Sequence, residues 1–383
     1  MTRSAKSEKS EKRSRRRFLQ SAAAAGVAAS FPLVLASRKA RAADTITLLA
    51  WYGNGEPDVV GAFEEANNVK VESKYYTGGD NMLALIAQSP PGTYDVVLSD
   101  AEYVTQLRAA GYLEKLDPGD YPLDSFFPEF QKFPVPGFWE GDDLYALPVS
   151  FGFLGVTYNT DVVDAAAART YELLWDASVR DRVGHFDWYL PNFGCLSLRD
   201  GNAKPYEISD AAFAALRDTA LSLRPQVRGF FDYGGVLSSL RSGEVVAMCG
   251  IGDWITGVLQ KDGAPVDTVI PREGGIQFTE GLALGKNSRR PELAKKLIQY
   301  FMSPRGQVRK ALMQAYPTAV PNREAWEILN RENPGEAKRA RMQLSAHNMI
   351  DDIRSGDIHL RRLPARQSLE DWNDLWLEYK NAG

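Results

Sequence analysis

Apolar and polar positions alternate after residue 44 in a pattern that predicts three strands, each followed by a helix. Residues 45–51 form a short apolar run, and residues 69–76 alternate with the two-residue period of a strand. Between them, Pro57 is placed to start a helix, and apolar residues recur after it at helical spacing. A third strand is predicted over 94–100 and a third helix over 101–110. This alternation through short loops is typical of a parallel sheet covered by helices on both faces.

Ligands bind at the carboxyl ends of the strands in such a sheet, so the residues that end each strand are candidates for a site. Trp51 and Tyr52 end the first strand, and Asp100 ends the third, with Glu102 two positions later. Asp100 is also a good helix N-cap, and Glu102 is a favourable first-turn acid. For Asp100, helix capping and ligand binding are equally supported. For Glu102, a role in the first turn of the helix is favoured over ligand binding.

Residues 270–284 combine a glycine turn with a strand that ends on an acid. Gly274 and Gly275 supply backbone freedom, and the alternation after them places Phe278 and Glu280 close together. A glycine follows Glu280, where the backbone can come close to a ligand. On pattern alone, a hairpin with a solvated acid is favoured over a ligand-binding acid.

The amino terminus has the features of an export signal. Residues 14–19 read Ser-Arg-Arg-Arg-Phe-Leu, an apolar stretch covers 22–36, and a small-x-small cleavage site ends at Ala42. The apolar stretch is too short and too rich in alanine for a stable spanning helix. We therefore predict a twin-arginine signal peptide over residues 1–42, recognised by the twin-arginine export machinery and cleaved near Ala42. The mature protein is then expected in the periplasm.

Removal of the leader changes the charge of the chain. The full 383 residues carry a net charge of −4, but residues 1–42 contain 11 basic and 2 acidic side chains, which leaves 34 basic and 47 acidic ones and a net charge of −13. Such an acidic protein is a poor partner for nucleic acid or an anionic membrane, and it suits a cationic ligand. The remaining length is enough for two domains.

No catalytic or metal-binding pattern occurs in the sequence. The chain has three histidines and no HExxH, GxSxG, Walker or GxGxxG motif. We therefore expect no enzyme activity, no metal site and no cofactor. Cys195 and Cys249 can pair in an oxidising compartment or stay as buried thiols, and their spacing does not decide between these states.

The segment Pro-Arg-Glu-Gly-Gly at residues 271–275, followed by Phe278 and Glu280, resembles the crossover of the periplasmic spermidine/putrescine-binding proteins, the solute receptors of ABC importers. In that family the acid at the position of Glu280 holds a ligand ammonium. Residues 144–159 resemble the first crossing into the second lobe, and residues 163–175 resemble a helix that follows it.

Three further blocks resemble the same family. Residues 250–254, Gly-Ile-Gly-Asp-Trp, are similar to the Trp-x-Gly-Asp of putrescine-type receptors, with glycine in place of the tryptophan. A turn with a helix cap explains this block as well, but Glu280 on the facing segment favours a ligand role for Asp253. The loop around Tyr316 matches a family loop whose tyrosine faces the pocket, and Trp51 with Tyr52 matches the pair after the first strand.

The resemblance implies an α/β fold of the periplasmic-binding-protein type II class, with two lobes that are each a mostly parallel sheet flanked by helices. Lobe 1 is expected to contain residues 43–149 and 279–325, and lobe 2 residues 150–278 and 326–383. The ligand is expected in the cleft between the lobes. Its walls would be Trp51, Tyr52, Phe278 and Tyr316, and its charge would be bound by Asp253 and Glu280, with Asp100 as a third acid.

The implied function is an exported receptor, expected as a monomer, that binds a small cationic amine such as putrescine or spermidine and delivers it to an inner-membrane ABC permease. Two departures from the family keep an alternative open. Residues 189–192 lack the acids that grip the distal ammonium of a polyamine, and Arg361 and Arg362 fall near a ligand-contacting glutamine of the family. If one arginine enters the cleft, the ligand carries a carboxylate or other anion, as an amino acid, opine or aminophosphonate does. An exported enzyme is a weaker alternative.

Overall fold

The computed structural model describes residues 44–382, so the predicted signal peptide lies outside the described residues. Within 44–382 the chain forms twelve strands and fourteen helices. The strands are β1 (Asp44–Trp51), β2 (Val69–Tyr76), β3 (Val96–Asp100), β4 (Trp139–Glu140), β5 (Asp143–Leu144), β6 (Leu147–Asn159), β7 (Val183–Phe186), β8 (Val227–Phe231), β9 (Ala247–Gly252), β10 (Val266–Val269), β11 (Gly275–Leu284) and β12 (Ile358–Leu360).

The helices are α1 (Pro57–Asn67), α2 (Gly79–Gln88), α3 (Val104–Ala109), α4 (Pro128–Gln131), α5 (Tyr189–Arg199), α6 (Asp210–Leu223), α7 (Tyr233–Ser242), α8 (Asp253–Lys261), α9 (Pro291–Met302), α10 (Pro304–Ala311), α11 (Arg323–Glu332), α12 (Pro334–Arg339), α13 (Met349–Ser355) and α14 (Leu369–Asn381). None of those found within 44–382 has the length and apolar character that a membrane span requires.

Ten strands build one mixed sheet in the order β2-β1-β3-β11-β6-β9-β7-β8, with β10 paired to β6 and β12 paired to β11. β1 is parallel to β2 and β3, and β7 is parallel to β8 and β9. Between these two parallel groups lie β6 and β11, which pair antiparallel with each other and with β9 and β3. The prediction of mostly parallel sheets with crossing strands is confirmed. The residue boundaries assigned to the two lobes stay a prediction.

The crossing strands place the acid and the aromatic residue of the predicted site. Every residue of β6 and β11 is buried, including the polar residues Gln277, Thr279 and Glu280 of β11. Gly152 lies opposite Phe278, and a Cβ atom there would be 2.6 Å from the phenylalanine ring. The glycine therefore lets the ring lie across the neighbouring strand. A register shift directly after Glu280 then changes the course of β11 at the acid.

The helix expected over residues 163–175 is wrong. The structure has two short 3-10 turns there, Ala167–Arg169 and Tyr171–Trp175. Thr170 separates them because its backbone is extended and its hydroxyl accepts a hydrogen bond from the amide of Glu172. A side chain that binds a nearby backbone amide in this way competes with a continuous helix.

Candidate ligand-binding site

The carboxyl ends of both parallel groups face one cavity of about 380 Å³. The last residue of each of five strands lines it, namely Trp51, Tyr76, Asp100, Phe186 and Phe231. This arrangement follows from the rule that ligands of α/β sheets bind beyond the carboxyl ends of the strands. The aromatic residues of the lining are Trp51, Tyr52, Tyr76, Phe186, Trp188, Phe231, Tyr233, Trp254, Phe278 and Tyr316.

Several of these rings contact one another and form continuous walls. Trp51 lies 5.8 Å from Trp188 between ring centroids, and Tyr233 stacks on Trp254 at 6.0 Å. Trp254 in turn meets Tyr316 edge to face at 6.0 Å. Tyr52, which is half exposed, lies at the rim of the cavity. Rings that are held by one another in this way present fixed faces to a ligand.

Six of the seven predicted site residues line this cavity: Trp51, Tyr52, Asp100, Phe278, Glu280 and Tyr316. The seventh, Asp253, is not among the lining residues. It is the first residue of α8 and lines a second, polar cavity of about 850 Å³ together with Arg339 and Arg341. The carboxylate of Asp253 lies near the ring of Phe278, since both side chains border the space beside Gly152 that a Cβ atom would fill. Contact between Asp253 and a ligand stays a prediction.

Asp253 is itself an unusual group. It is 4% exposed, and neither carboxylate oxygen makes a well-formed hydrogen bond within residues 44–382. Burial raises its pKa to about 6, although Arg339, Arg341 and the nearby amides of Phe153 and Trp254 favour the charged form. Asp253 therefore changes its charge under mildly acidic conditions.

Glu280 is buried and fully engaged by groups of the chain itself. The hydroxyl of Tyr316 donates a hydrogen bond to Oε1 at 2.9 Å, and the hydroxyl of Ser150 donates to Oε2. The ammonium of Lys310, a residue of α10, lies 2.9 Å from Oε2. Lys310 is completely buried, and its Nζ is also 4.3 Å from the ring centroid of Tyr316. Sequence reasoning missed this lysine because no local pattern marks a pairing across thirty residues.

Asp100 and Glu102 are held by one arginine. Arg361, which directly follows β12, donates from Nη2 to Asp100 and from Nε to Glu102. Its guanidinium lies 4.5 Å from the ring centroid of Trp188, and the indole of Trp51 donates to Asp100 at 3.0 Å. Burial raises the pKa of Asp100, and Arg361 opposes this shift.

The contacts of Asp100 and Glu102 test the roles that were predicted for them. Asp100 makes no capping hydrogen bond, so the N-cap interpretation is wrong for its side chain. Glu102 lies in the first turn of the short 3-10 helix Ala101–Tyr103, as predicted, and its carboxylate is buried against Arg361. Arg361 itself lines the cavity, which answers whether one of the two neighbouring arginines enters it.

Two acids of the lining were overlooked in the sequence. Asp187 follows β7 directly, and Asp232 follows β8 directly, so the strand-end rule that selected Asp100 would also have selected them. Residues 189–192 contain no acid, as noted from the sequence, but Asp187 supplies one directly after β7. Asp187 is partly exposed and contacts Lys380 of α14 at 2.7 Å. Asp232 caps α7 by accepting a hydrogen bond from the amide of Gly235.

The site therefore combines aromatic walls with acids that already have partners in the chain. Among residues 44–382 no group of three or more metal-ligating side chains is found. Such an arrangement is chemically suited to bind and desolvate a cationic ligand, since aromatic faces attract a cation and a largely apolar cavity excludes water.

The comparisons with known proteins agree with this architecture. The profile of the bacterial extracellular solute-binding protein family matches residues 58–332. The spermidine/putrescine-binding periplasmic protein 1 of Haemophilus influenzae is 26% identical over 302 residues, covering 78% of this chain and 81% of that protein. The spermidine/putrescine-binding periplasmic protein of Escherichia coli is 27% identical over 308 residues, covering 78% and 84%.

Solved structures share the fold at lower identity. A protein described as a putative spermidine/putrescine ABC transporter from Listeria monocytogenes superposes with a TM-score of 0.74 at 19% identity, covering 89% of this chain and all of that one. A solved protein described as a GABA receptor superposes with a TM-score of 0.66 at 18% identity, covering 88% of this chain and 98% of that one. A binding protein from A. tumefaciens B6 in complex with glucopine gives 0.67 at 14% identity, covering 88% and 99%.

The fold is that of the type II periplasmic binding proteins, with the candidate site at the carboxyl ends of both parallel groups of strands. Because the family profile covers well over half of the sequence, the chain belongs to the bacterial extracellular solute-binding protein family.

Proposed function

We propose that this chain is the receptor of an ABC importer that binds a small cationic amine, such as putrescine or spermidine, and delivers it to an inner-membrane permease. The observation that carries the proposal is the cavity lined by ten aromatic residues at the strand ends. The names of the relatives in Haemophilus influenzae and Escherichia coli support the amine as ligand class. We further propose export through the twin-arginine pathway with cleavage near Ala42, location in the periplasm, and action as a monomer.

The binding energy would come mainly from the aromatic faces. A cation over an aromatic ring gains about 0.5–1 kcal/mol when exposed and about 2 kcal/mol when desolvated. Trp51, Trp188 and Trp254 offer such faces, and Asp187 and Asp232 add negative charge at the same cavity. Closure of the two predicted lobes over the ligand would desolvate the site, and the permease would recognise the closed form.

A ligand that carries an anion as well as an amine is the second candidate, and Arg361 favours it. Arg361 uses Nε and Nη2 for its two acids, and no hydrogen bond from Nη1 is found within residues 44–382. A ligand carboxylate that enters the cavity could accept from this nitrogen. The solved GABA receptor and the glucopine complex have the same fold.

A thermal-shift screen of residues 43–383 tests both candidates. The panel contains putrescine, spermidine, agmatine, γ-aminobutyrate, amino acids and aminophosphonates. A ligand present at 100 times its Kd adds about 2.7 kcal/mol of stability, which gives a clear increase in Tm. If only amines without a carboxylate shift the melting temperature, the first candidate stands. If only carboxylate-bearing amines shift it, the second replaces it, and if nothing in the panel does, the amine proposal is rejected.

The contribution of the aromatic walls is tested with Trp188→Ala. Loss of this ring should weaken binding by tenfold or more, because about 2 kcal/mol of cation–π attraction is removed. Trp175→Ala is the matched control, since Trp175 is partly buried but lies outside the cavity. Equal affinity of both variants, measured by calorimetry with the ligand found in the screen, would contradict the role of the walls.

A further inference from the structure

Lys310 pairs with Glu280 as a ligand ammonium would, although it reaches the carboxylate from α10 and is not among the residues that line the cavity. Its Nζ lies 2.9 Å from the carboxylate and 4.3 Å from the ring centroid of Tyr316. A carboxylate and an aromatic face are the two partners that an amine ligand would use. The side chain is completely buried. The ammonium site of Glu280 is thus filled from inside the protein.

The carboxylate of Glu280 has little capacity left for a second cation. Ser150 and Tyr316 donate hydrogen bonds to its two oxygens, in addition to the contact with Lys310. A ligand ammonium brought to Glu280 would also lie beside the ammonium of Lys310, and like charges at a desolvated contact cost several kcal/mol. A second ammonium is therefore excluded from this end of the cavity.

Asp100, the other buried acid that lines the cavity, also has a cation of the chain, because it shares the guanidinium of Arg361 with Glu102. One positive charge serves these two carboxylates, and burial raises the pKa of Glu102 to about 7.

A linear primary diamine needs an anionic partner at each end. Among the acids that line the cavity, Glu280, Asp100 and Asp187 each have a cation of the chain, and within the described residues only Asp232 has no ion pair, so one acid is left for one cationic group. The aromatic faces of Trp51, Trp188 and Trp254 do not need an N–H donor, so they can hold one alkylated or quaternary cation.

We propose that Lys310 is a built-in counter-ion that determines specificity, so that the receptor selects a ligand with one cationic group over a primary diamine. This proposal rests on the proposed function, because it assumes an amine in the same cavity, and within that ligand class it favours an amine with one cationic group over putrescine and spermidine. Replacing a buried ion pair by apolar residues often stabilises a protein. The buried ion pair of Lys310 and Glu280 is therefore explained better by a role in ligand selection than by a contribution to stability.

The test compares n-butylamine, choline and putrescine by calorimetry. Butylamine and putrescine have the same carbon chain and differ by one ammonium group. Wild-type protein should bind butylamine or choline at least about tenfold more tightly than putrescine, which is the penalty for one unfavourable charge contact. Lys310→Met frees the carboxylate, so the affinity for putrescine should rise at least about tenfold, with little change for butylamine. The double variant Lys310→Met with Glu280→Gln should lose this gain.

Lys296→Met is the control, since Lys296 is exposed on α9 and is not among the residues that line the cavity. Lys310→Gln is the second variant if Lys310→Met does not fold, because glutamine can still donate a hydrogen bond to Glu280. Circular dichroism establishes that each variant is folded. A folded Lys310 variant that gains no affinity for putrescine overturns the proposal, and so does wild-type protein that prefers putrescine to butylamine.

The outcomes also separate this proposal from the proposed function. If wild-type protein binds amines but the lysine variants do not change the preference, the receptor function stands and the role of Lys310 is rejected. If wild-type protein binds no amine and a Lys310 variant acquires putrescine binding, Lys310 blocks the ammonium site of Glu280, but the selection of a ligand with one cationic group is rejected. The natural ligand is then not an amine, and the proposed function is rejected.

Discussion

At the scale of single residues, burial decides the charge state of His185. This histidine has no exposed surface, and its Nδ1 lies 2.7 Å from Oδ1 of Asn192. The amide nitrogen of Asn192 donates to two backbone carbonyls, so its oxygen accepts and Nδ1 of His185 donates. Nε2 then accepts from the hydroxyl of Tyr379 at 2.9 Å. The neutral ring satisfies both contacts, and burial lowers the pKa of His185 to about 4.

His185 should therefore make stability depend on pH. Because its pKa is lower in the folded than in the unfolded protein, its contribution is present above pH 6.5 and is lost as the pH falls towards 4. From about pH 7.5 to pH 4, the unfolding free energy of wild-type protein should fall by about 3 kcal/mol more than that of His185→Gln. Urea unfolding at several pH values measures this difference.

Ser238→Ala is the control for this experiment, since it removes an exposed hydroxyl of α7 and no titratable group. Its pH profile should follow that of wild-type protein. Parallel profiles for wild-type protein and His185→Gln would show that His185 is not the group responsible.

At the scale of elements, α14 connects the end of the chain to the ligand cavity. Trp372, Trp376 and Tyr379 on one face of the helix are buried against Phe193. Trp376 and Lys380 also contact Asp187, which lines the cavity. The helix begins with a capping box, in which Ser368 accepts from the amide of Asp371 and Asp371 accepts from the amide of Ser368.

Ser368→Ala should lower the unfolding free energy by about 1 kcal/mol, because the first turn of α14 loses the partner of a backbone amide. Ligand affinity should not change, since the packed part of the helix still holds Asp187. Ser238→Ala is the control, because this exposed hydroxyl lies inside α7 and alanine is the better helix former. Denaturant unfolding and calorimetry measure the two effects, and an unchanged stability of Ser368→Ala would argue against the capping box.

At the scale of the whole molecule, β6 and β11 join both parallel groups into one sheet. β11 pairs with β3 on one side and with β6 on the other, and β6 continues the sheet through β9. Both strands are buried over their full length. If either group of strands unfolded alone, β6 or β11 would lose the strand that pairs with it on one side, and a buried strand would become an exposed edge. The unfolding of one group should therefore cause the unfolding of the other.

Residues 43–383 should accordingly unfold in a single cooperative transition, although two lobes are predicted. Tryptophan fluorescence, far-UV circular dichroism and the reactivity of the buried thiols Cys195 and Cys249 should change at the same denaturant concentration. Two separated transitions, or thiols that react before the secondary structure is lost, would show that one group of strands unfolds independently.

Much of the architecture was predictable because it depends on local patterns. Period-two alternation identified β2, and the proline at the start of α1 was placed correctly. The strand-end rule selected Trp51 and Asp100, and it would have selected Asp187 and Asp232 if it had been applied to every strand. The helix expected over 163–175 failed because one threonine side chain bound a backbone amide, an interaction too weakly encoded in the sequence to be recognised.

By itself, then, the sequence determined the first strands and helices, the parallel arrangement of these strands and the carboxyl ends where a ligand would bind, because the period of the apolar positions and the short connections mark these features locally. Only the tertiary structure decided which acids keep a free charge. Arg361 reaches Asp100 across 261 positions, and Lys310 reaches Glu280 from another element. A buried carboxylate is stable only with a partner, and that partner is chosen by the packing of distant elements, which no local pattern contains.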